Sequence, residues 1–313
     1  MHCDTLTELY LGGFDIAASP LHISIEGATG ICPYVQSAAI WTDKALGDDE
    51  AYDRFWKVLH HFEGSDSVNS GKIRLCRSAA DARAAIKEGI PAFLLSIEGA
   101  RLLGSDTLEE RFRAVADSGV WLITLQWSGA DCIGGAWDTN AGLTDNGRLL
   151  LRLMAERGIV CDLSHASDVV TGEVLSLAEA LGLRVCASHS NSRAVCVHGR
   201  NLTDENFARI REAGGVVGLS MAPEHLSDSG NAGIDDIRRH LEHYLSLGGE
   251  DTVVFGCDFD GISSTPDGVS GIRDIPKLYD TLSRDCGTEL LGRIFFGNAA
   301  RFMGIADSSE YHP

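Results

Sequence analysis

The sequence lacks any continuous apolar run of about 18 residues, so no membrane-spanning helix is expected. It lacks a basic segment leading into an apolar core near its start, so no secretory leader is read. Its nine cysteines are odd in number and contain no C-x-x-C pair. That argues against a disulfide framework and against a thiolate metal cluster. Cys3, Cys161, Cys186 and Cys257 lie in or beside apolar runs and read as small buried hydrophobes of a reducing, cytoplasmic compartment. Positive charge is scarce: 26 Lys and Arg face 45 Asp and Glu, a formal net charge of -19. Phosphate backbones would be repelled, so no nucleic-acid partner is expected. Low-complexity tracts, short repeats and linkers are missing as well, and residues 1–313 are expected to form one domain.

Short apolar runs alternate with longer amphipathic ones. Strands are expected at Met1–Leu6, Tyr34–Trp41, Ala92–Ile97, Trp121–Gln126, Ile159–Leu163, Arg184–Ser188, Val216–Ser220 and Thr252–Cys257. Most are continuously apolar, as parallel strands buried on both faces should be. Helical patterns fall between them, at Asp48–Phe62, Ala79–Glu88, Leu108–Ser118, Asn146–Arg157, Val169–Leu181, Asp204–Ala213 and Asp235–Leu247, with Glu289–Phe302 after the last strand. Ser78 and Thr203 stand at cap positions, and Gly119, Gly158, Gly182 and Gly214 stop helices just ahead of strands. Eight repeats of strand and helix favour a (β/α)8 barrel over a doubly wound sheet. Leu21–Ile25 alternates like a short hairpin strand, and the long loop from Gly129 to Leu143 has the length of a functional loop.

Several apolar runs end abruptly in a possible metal ligand: His2 and Asp4, Glu98, His165, His189 and Asp258. Barrel enzymes build their sites from such strand ends. Imidazole and carboxylate are the usual ligands of hydrolytic zinc. His2 and Asp4, two apart on a strand, would share a face and hold one cation. His165 and His189 end successive strands and could hold a second, and the two oxygens of Glu98 could bridge the pair. Two ions about 3.5–4 Å apart acidify a shared water, and Asp258 could move its proton. Of the other histidines, His22, His60, His61, His198, His225, His240 and His243 read as ordinary satisfied polar residues, and Asp162, Asp168 and Asp260 as supporting or capping groups.

These residues sit in motifs that resemble, nearly end to end, the renal or membrane dipeptidases of the amidohydrolase superfamily. His2-Cys3-Asp4 is similar to the family's opening H-x-D. Gly142-Leu143-Thr144 through Gly147, then Arg157-Gly158-Ile159-Val160-Cys161-Asp162-Leu163-Ser164-His165, the stretch Ala187-Ser188-His189-Ser190-Asn191-Ser192-Arg193-Ala194, Gly199-Arg200-Asn201-Leu202-Thr203-Asp204, and Gly256-Cys257-Asp258-Phe259-Asp260-Gly261 continue the match. The resemblance implies two zinc ions, with His2 and Asp4 on one, His165 and His189 on the other, and Glu98 bridging. It implies Asp258 as acid/base and Arg200 as the grip on a dipeptide's terminal carboxylate, suited to the guanidinium fork. Small dipeptides, some with a C-terminal D-residue, and a homodimer are further implications.

The match has three departures. Trp127, in Leu125-Gln126-Trp127-Ser128, stands where the family has a histidine that contacts the scissile carbonyl. Indole donates one hydrogen bond but cannot be protonated. Leu219-Ser220-Met221-Ala222-Pro223 replaces a more aromatic substrate-lining stretch, and Met1 directly precedes His2, leaving the first strand short. The expected activity is zinc-dependent dipeptide hydrolysis. The alternatives are an amidase or lactonase acting on a non-peptide molecule and a metal-loaded binding barrel.

Overall fold

The computed structural model describes residues 1–305; residues 306–313, the end of the expected domain, lie outside the described residues. Its strands are β1 (His2–Cys3), β2 (Val35–Trp41), β3 (Arg74–Cys76), β4 (Ala92–Glu98), β5 (Leu122–Thr124), β6 (Val160–Asp162), β7 (Val185–Cys186), β8 (Val217–Ser220) and β9 (Val253–Phe259). Every ladder between them is parallel. One path runs β2–β4–β5–β6–β7 and another β8–β9–β1. A parallel bridge from Ala187 to Val217 joins β7 to β8. Among the described residues no backbone ladder joins β1 to β2; they meet through the Cys3 thiol, 3.8 Å from the Ser37 carbonyl, and the helix that follows β1 adds Thr7 Oγ1, which donates to the Trp41 carbonyl at 3.2 Å. The result is the expected (β/α)8 barrel, with β3 an extra short strand beside the first half of β4.

The continuous apolar pattern is explained by two burials. In β4, Phe93, Leu95 and Ile97 belong to the large core outside the barrel, whereas Ala92 and Leu94 belong to a second cluster with Leu122, Val160, Cys186, Val216 and Val254. Alternate residues face opposite sides of a strand, so Glu98 continues the inward row of Leu94. Register then aligns Glu98 with Thr124, Thr124 with Asp162, and Asp162 with Cys186. Polar residues on the inward rows therefore collect at the C-terminal mouth, as barrel enzymes require.

Helix boundaries follow the capping chemistry. Ser78, Thr144, Ser167 and Thr203 accept from the backbone N–H three residues on, at 3.0–3.2 Å. Gly158 and Gly182 close their helices in the left-handed conformation, and Gly119 and Gly214 take it one residue past the cap.

Three expectations change. The expected strand Met1–Leu6 is only two residues long, because a helix, Thr5–Gly12, starts immediately after Asp4. Leu21–Ile25 forms no strand; His22 is held instead by Asp260, whose Oδ1 accepts from its N–H at 2.6 Å. The chain also contains β3 and a helix over Ile275–Cys286, neither of them among the expected elements. Among the described residues no helix is long and apolar enough to cross a membrane.

Candidate metal centre

Glu98 ends β4 and Asp258 is the next-to-last residue of β9. Asp4, His165 and His189 lie one to three residues beyond the ends of β1, β6 and β7. Among the described residues, the non-glycine residues with positive φ are His165, Cys257, Asp258 and Asp260, at 60–69°. Backbone outliers of this kind persist only where the surroundings hold them, and they cluster at functional sites. Gly261 fits the same crowding: a Cβ there would come within 2.2 Å of Asp4 Oδ2 and 2.6 Å of Asp258 Oδ1.

The structure brings together all six expected residues. His2, Asp4 and Glu98 converge; so do Glu98, His165 and His189, and His2, His189 and Asp258, with the potential ligand atoms of each trio within 4.8 Å of one another. Glu98 faces both sides. Its Oε1 lies 2.7 Å from His165 Nε2 and 3.4 Å from His189 Nε2, and its Oε2 lies 3.8 Å from His2 Nε2. His2 Nε2 is 3.2 Å from Asp4 Oδ2 and 3.7 Å from Asp258 Oδ1.

The outer contacts fix which nitrogen faces the centre. His165 Nδ1 donates to the Trp127 carbonyl at 2.7 Å. His189 Nδ1 donates to Ser188 Oγ at 2.8 Å, and that hydroxyl donates onward to Asp162 Oδ2 at 2.6 Å. Asp162 is itself held by Thr124 Oγ1 at 2.6 Å and by the Ser164 and Ser188 amides at 3.0 and 2.8 Å. Ring N–H groups anchored in this way leave Nε2 with its lone pair, the arrangement of metal-bound histidine. Two such Nε2 atoms, of His165 and His189, lie only 3.0 Å apart. A cation between them removes the repulsion, and Asp4 Oδ1, buried without a hydrogen-bond partner, offers another free ligand. The donor set therefore fits bound divalent metal.

Electrostatics agree with a charged cluster taken out of water. Burial raises Asp4 well above the ordinary carboxylate range, helped by the charge of Glu98 and opposed by His2. Burial also raises Asp258, to about 7, with His2 opposing and Glu98 reinforcing. Burial alone would raise Glu98, but His165 and His2 outweigh it and hold the carboxyl well below its usual value. Burial would lower His2, yet Asp4 and Glu98 bring it up to about 9.

These residues open into a cavity of about 430 Å³, a size suited to a small ligand. Asp4, Glu98, His165 and Asp258 line it together with Lys44, Trp127, Arg200, Glu224 and His225. Arg200 is 5% exposed, and both terminal guanidinium nitrogens lack a hydrogen-bond partner. Trp127 stands in the wall, 5.0 Å from Trp41 ring to ring, with Lys44 Nζ 5.8 Å over its face.

Asp260 and Asp168 are supporting groups, as expected: Asp260 accepts from Thr5 Oγ1 at 2.6 Å, and Asp168 pairs with Arg193. His240 is a satisfied buried histidine, between the Ser192 amide and the Leu226 carbonyl. His225 departs from its ordinary reading because it lines the cavity, in a helix, Pro223–Leu226, too short to show in the sequence pattern.

A barrel whose mouth gathers three imidazoles and three carboxylates around a ligand-sized cavity defines a metal-dependent hydrolase. Residues 2–311 match the model of the membrane dipeptidase family (Peptidase family M19), and the chain belongs to that family, the dipeptidase class of metallopeptidases. It is 32% identical over 242 residues to an uncharacterized protein in the pqqA 5' region of Klebsiella pneumoniae, covering 74% of this chain and 87% of the relative. It is 31% identical over 168 residues to dipeptidase aclJ of Aspergillus oryzae, covering 53% of this chain and 39% of that protein. The fold superposes with a TM-score of 0.88 on a metallo peptidase from Rhodobacter sphaeroides liganded with a phosphinate mimic of the dipeptide L-Ala-D-Ala. The two are 25% identical, with 97% of each chain covered.

Proposed function

We propose that the chain is a binuclear zinc dipeptidase in which His2 and Asp4 hold one ion, His165 and His189 the other, and Glu98 bridges them. Bound zinc would supply Lewis-acid polarisation of the carbonyl and an acidified water. The chain's own residues do the rest. The two oxygens of Glu98, turned to opposite halves of the cluster, hold those halves at one separation. Asp258, raised to about 7 by burial, takes a proton from the attacking water and returns it to the leaving amine, since a group titrating near working pH serves both directions. Arg200 binds the terminal carboxylate and fixes the peptide's length.

The observation that carries this reading is Arg200. A buried guanidinium without a partner is costly unless a ligand pairs with it, and this one faces the same cavity as the metal-ligand cluster. A free carboxylate one residue from the scissile bond meets that need, and a longer peptide would place no carboxylate there. The L-Ala-D-Ala mimic bound by the Rhodobacter protein supports a C-terminal D-residue as substrate. Nine free cysteines support a reducing, cytoplasmic setting. The test compares dipeptides with the same dipeptides amidated at the C-terminus. The amides should lose at least about tenfold in kcat/KM, the scale of a lost charged contact, and Arg200→Met should erase the difference. Equal cleavage of acid and amide would contradict the assignment.

Trp127 and the Ser220-Met221-Ala222 stretch favour a second reading, hydrolysis of an N-acyl amino acid or lactone in an altered pocket. N-acyl amino acids keep the carboxylate for Arg200 but lack a free amine, so including them and lactones in the panel separates the readings.

A further inference from the structure

The wall of the cavity beside Arg200 carries a group that the metal centre does not use. His225 enters from the short helix that follows β8. Its main chain is clamped: the carbonyl accepts from Asn191 Nδ2 at 3.3 Å and Asn201 Nδ2 at 2.9 Å, and the N–H donates to the Ala222 carbonyl at 3.0 Å. Its ring, by contrast, makes no hydrogen bond among the described residues. The ring packs 4.7 Å from His198, which in turn lies 5.2 Å from Trp137, so a run of tilted ring contacts sets its position. Burial, with Arg200, His198 and His165 adding positive charge, pushes its pKa down to about 2. The ring is thus neutral at every working pH and offers one N–H donor and one acceptor.

Geometry says what such a group meets. In a dipeptide the scissile carbonyl is separated from the terminal carboxylate by one nitrogen and one Cα. A donor to that carbonyl must stand beside the carboxylate anchor and face the metal-ligand cluster. His225 lines the cavity with Arg200, His165, Glu98 and Asp258. Trp127, three residues past β5, lines the same cavity, but its carbonyl is taken by His165 and its ring is pressed on Trp41.

We propose that His225 donates a ring N–H hydrogen bond to the scissile carbonyl oxygen, and that this bond strengthens as the oxygen gains negative charge in the tetrahedral transition state. The proposal rests on the dipeptidase reading above. A preorganised donor of this kind is worth most in the transition state and little in the ground state, so His225 is a catalytic residue and its loss appears in kcat.

The test uses the zinc-loaded protein and two variants of similar size, His225→Met, which removes the donor, and His225→Gln, which keeps one. His225→Met should lower kcat by about 10²–10³ with KM within a few-fold. It should weaken binding of a phosphinate dipeptide mimic by a similar factor and leave zinc content unchanged. His225→Gln should recover at least tenfold of the loss in both readouts. Kinetics and phosphinate affinity of His225→Met within threefold of the parent would overturn the proposal while leaving the dipeptidase reading intact. A parent protein that neither cleaves dipeptides nor binds the phosphinate would overturn both.

Discussion

The carbonyl of Trp127 accepts from His165 Nδ1 at 2.7 Å, so Trp127 orients an imidazole of the candidate metal centre. It does so through its backbone, which any side chain supplies. The indole meanwhile forms part of the cavity wall.

Replacement of the Trp127 side chain should therefore spare the metals. Trp127→His is expected to bind zinc at the parent stoichiometry and to lose only about 1 kcal/mol of stability, because the ring is half-buried and the anchoring carbonyl remains. Metal content by elemental analysis, read beside a melting curve, checks this. Loss of a bound ion would show that the indole itself supports the centre.

Ser188 stands between Asp162 and His189. Ser188→Ala removes the acceptor for His189 Nδ1 and a donor to a buried carboxylate. Zinc affinity should fall by about 10–100-fold, the usual cost of losing an orienting partner behind a ligand. Titration against a competing chelator reads the change, and parent-like affinity would remove the relay from the account.

Asp258→Asn keeps the shape of the mouth but cannot carry the proton. Turnover should drop by about 10²–10⁴ while zinc content and melting temperature stay near the parent values. Full activity in the variant would end the acid/base role.

Proton occupancy sets the stability of the metal-free protein. Burial works against the charge on His2, but Asp4 and Glu98 raise its pKa to about 9. A raised group stabilises the fold fully below its unfolded value, and that contribution is lost as pH climbs through the folded one. For His2 the window runs from 6.5 to about 9. Asp258, raised from 3.8 to about 7, adds a loss in the same direction at the lower end. His165, His189 and Glu98 are lowered, so their effects fall below this range. Chelator-stripped protein should melt several degrees lower at pH 9 than at pH 6.5. Added zinc should raise the melting temperature more at the higher pH, where the ligands have shed protons. A stripped protein whose stability is flat or rising over that interval would contradict the charges assigned here.

Much of this was legible in the sequence, for identifiable reasons. Parallel strands buried on both faces give unbroken apolar runs, so Ala92–Ile97 and Val216–Ser220 stood out, and the abrupt polar ends of such runs exposed Glu98 and Asp258. The first strand misled because apolar Leu6 continues the run of Cys3, although the chain has already turned into a helix at Thr5. The strand Arg74–Cys76 is too short to show a pattern. The helix Ile275–Cys286 carries a proline in its first turn and an amphipathic pattern that buries Leu278 and Leu282, so it was legible in the sequence although it was not among the expected elements. His225 lay beyond local reading altogether: its place at the cavity depends on Asn191 and Asn201, distant in sequence, clamping its carbonyl.

The most direct test of the account is a zinc titration of chelator-stripped protein, followed by the rate of cleavage of an L,L and L,D dipeptide panel. The account predicts no cleavage without metal, activity that saturates at two equivalents of zinc, and cleavage confined to substrates with a free terminal carboxylate. Full zinc occupancy without cleavage of any dipeptide would contradict it.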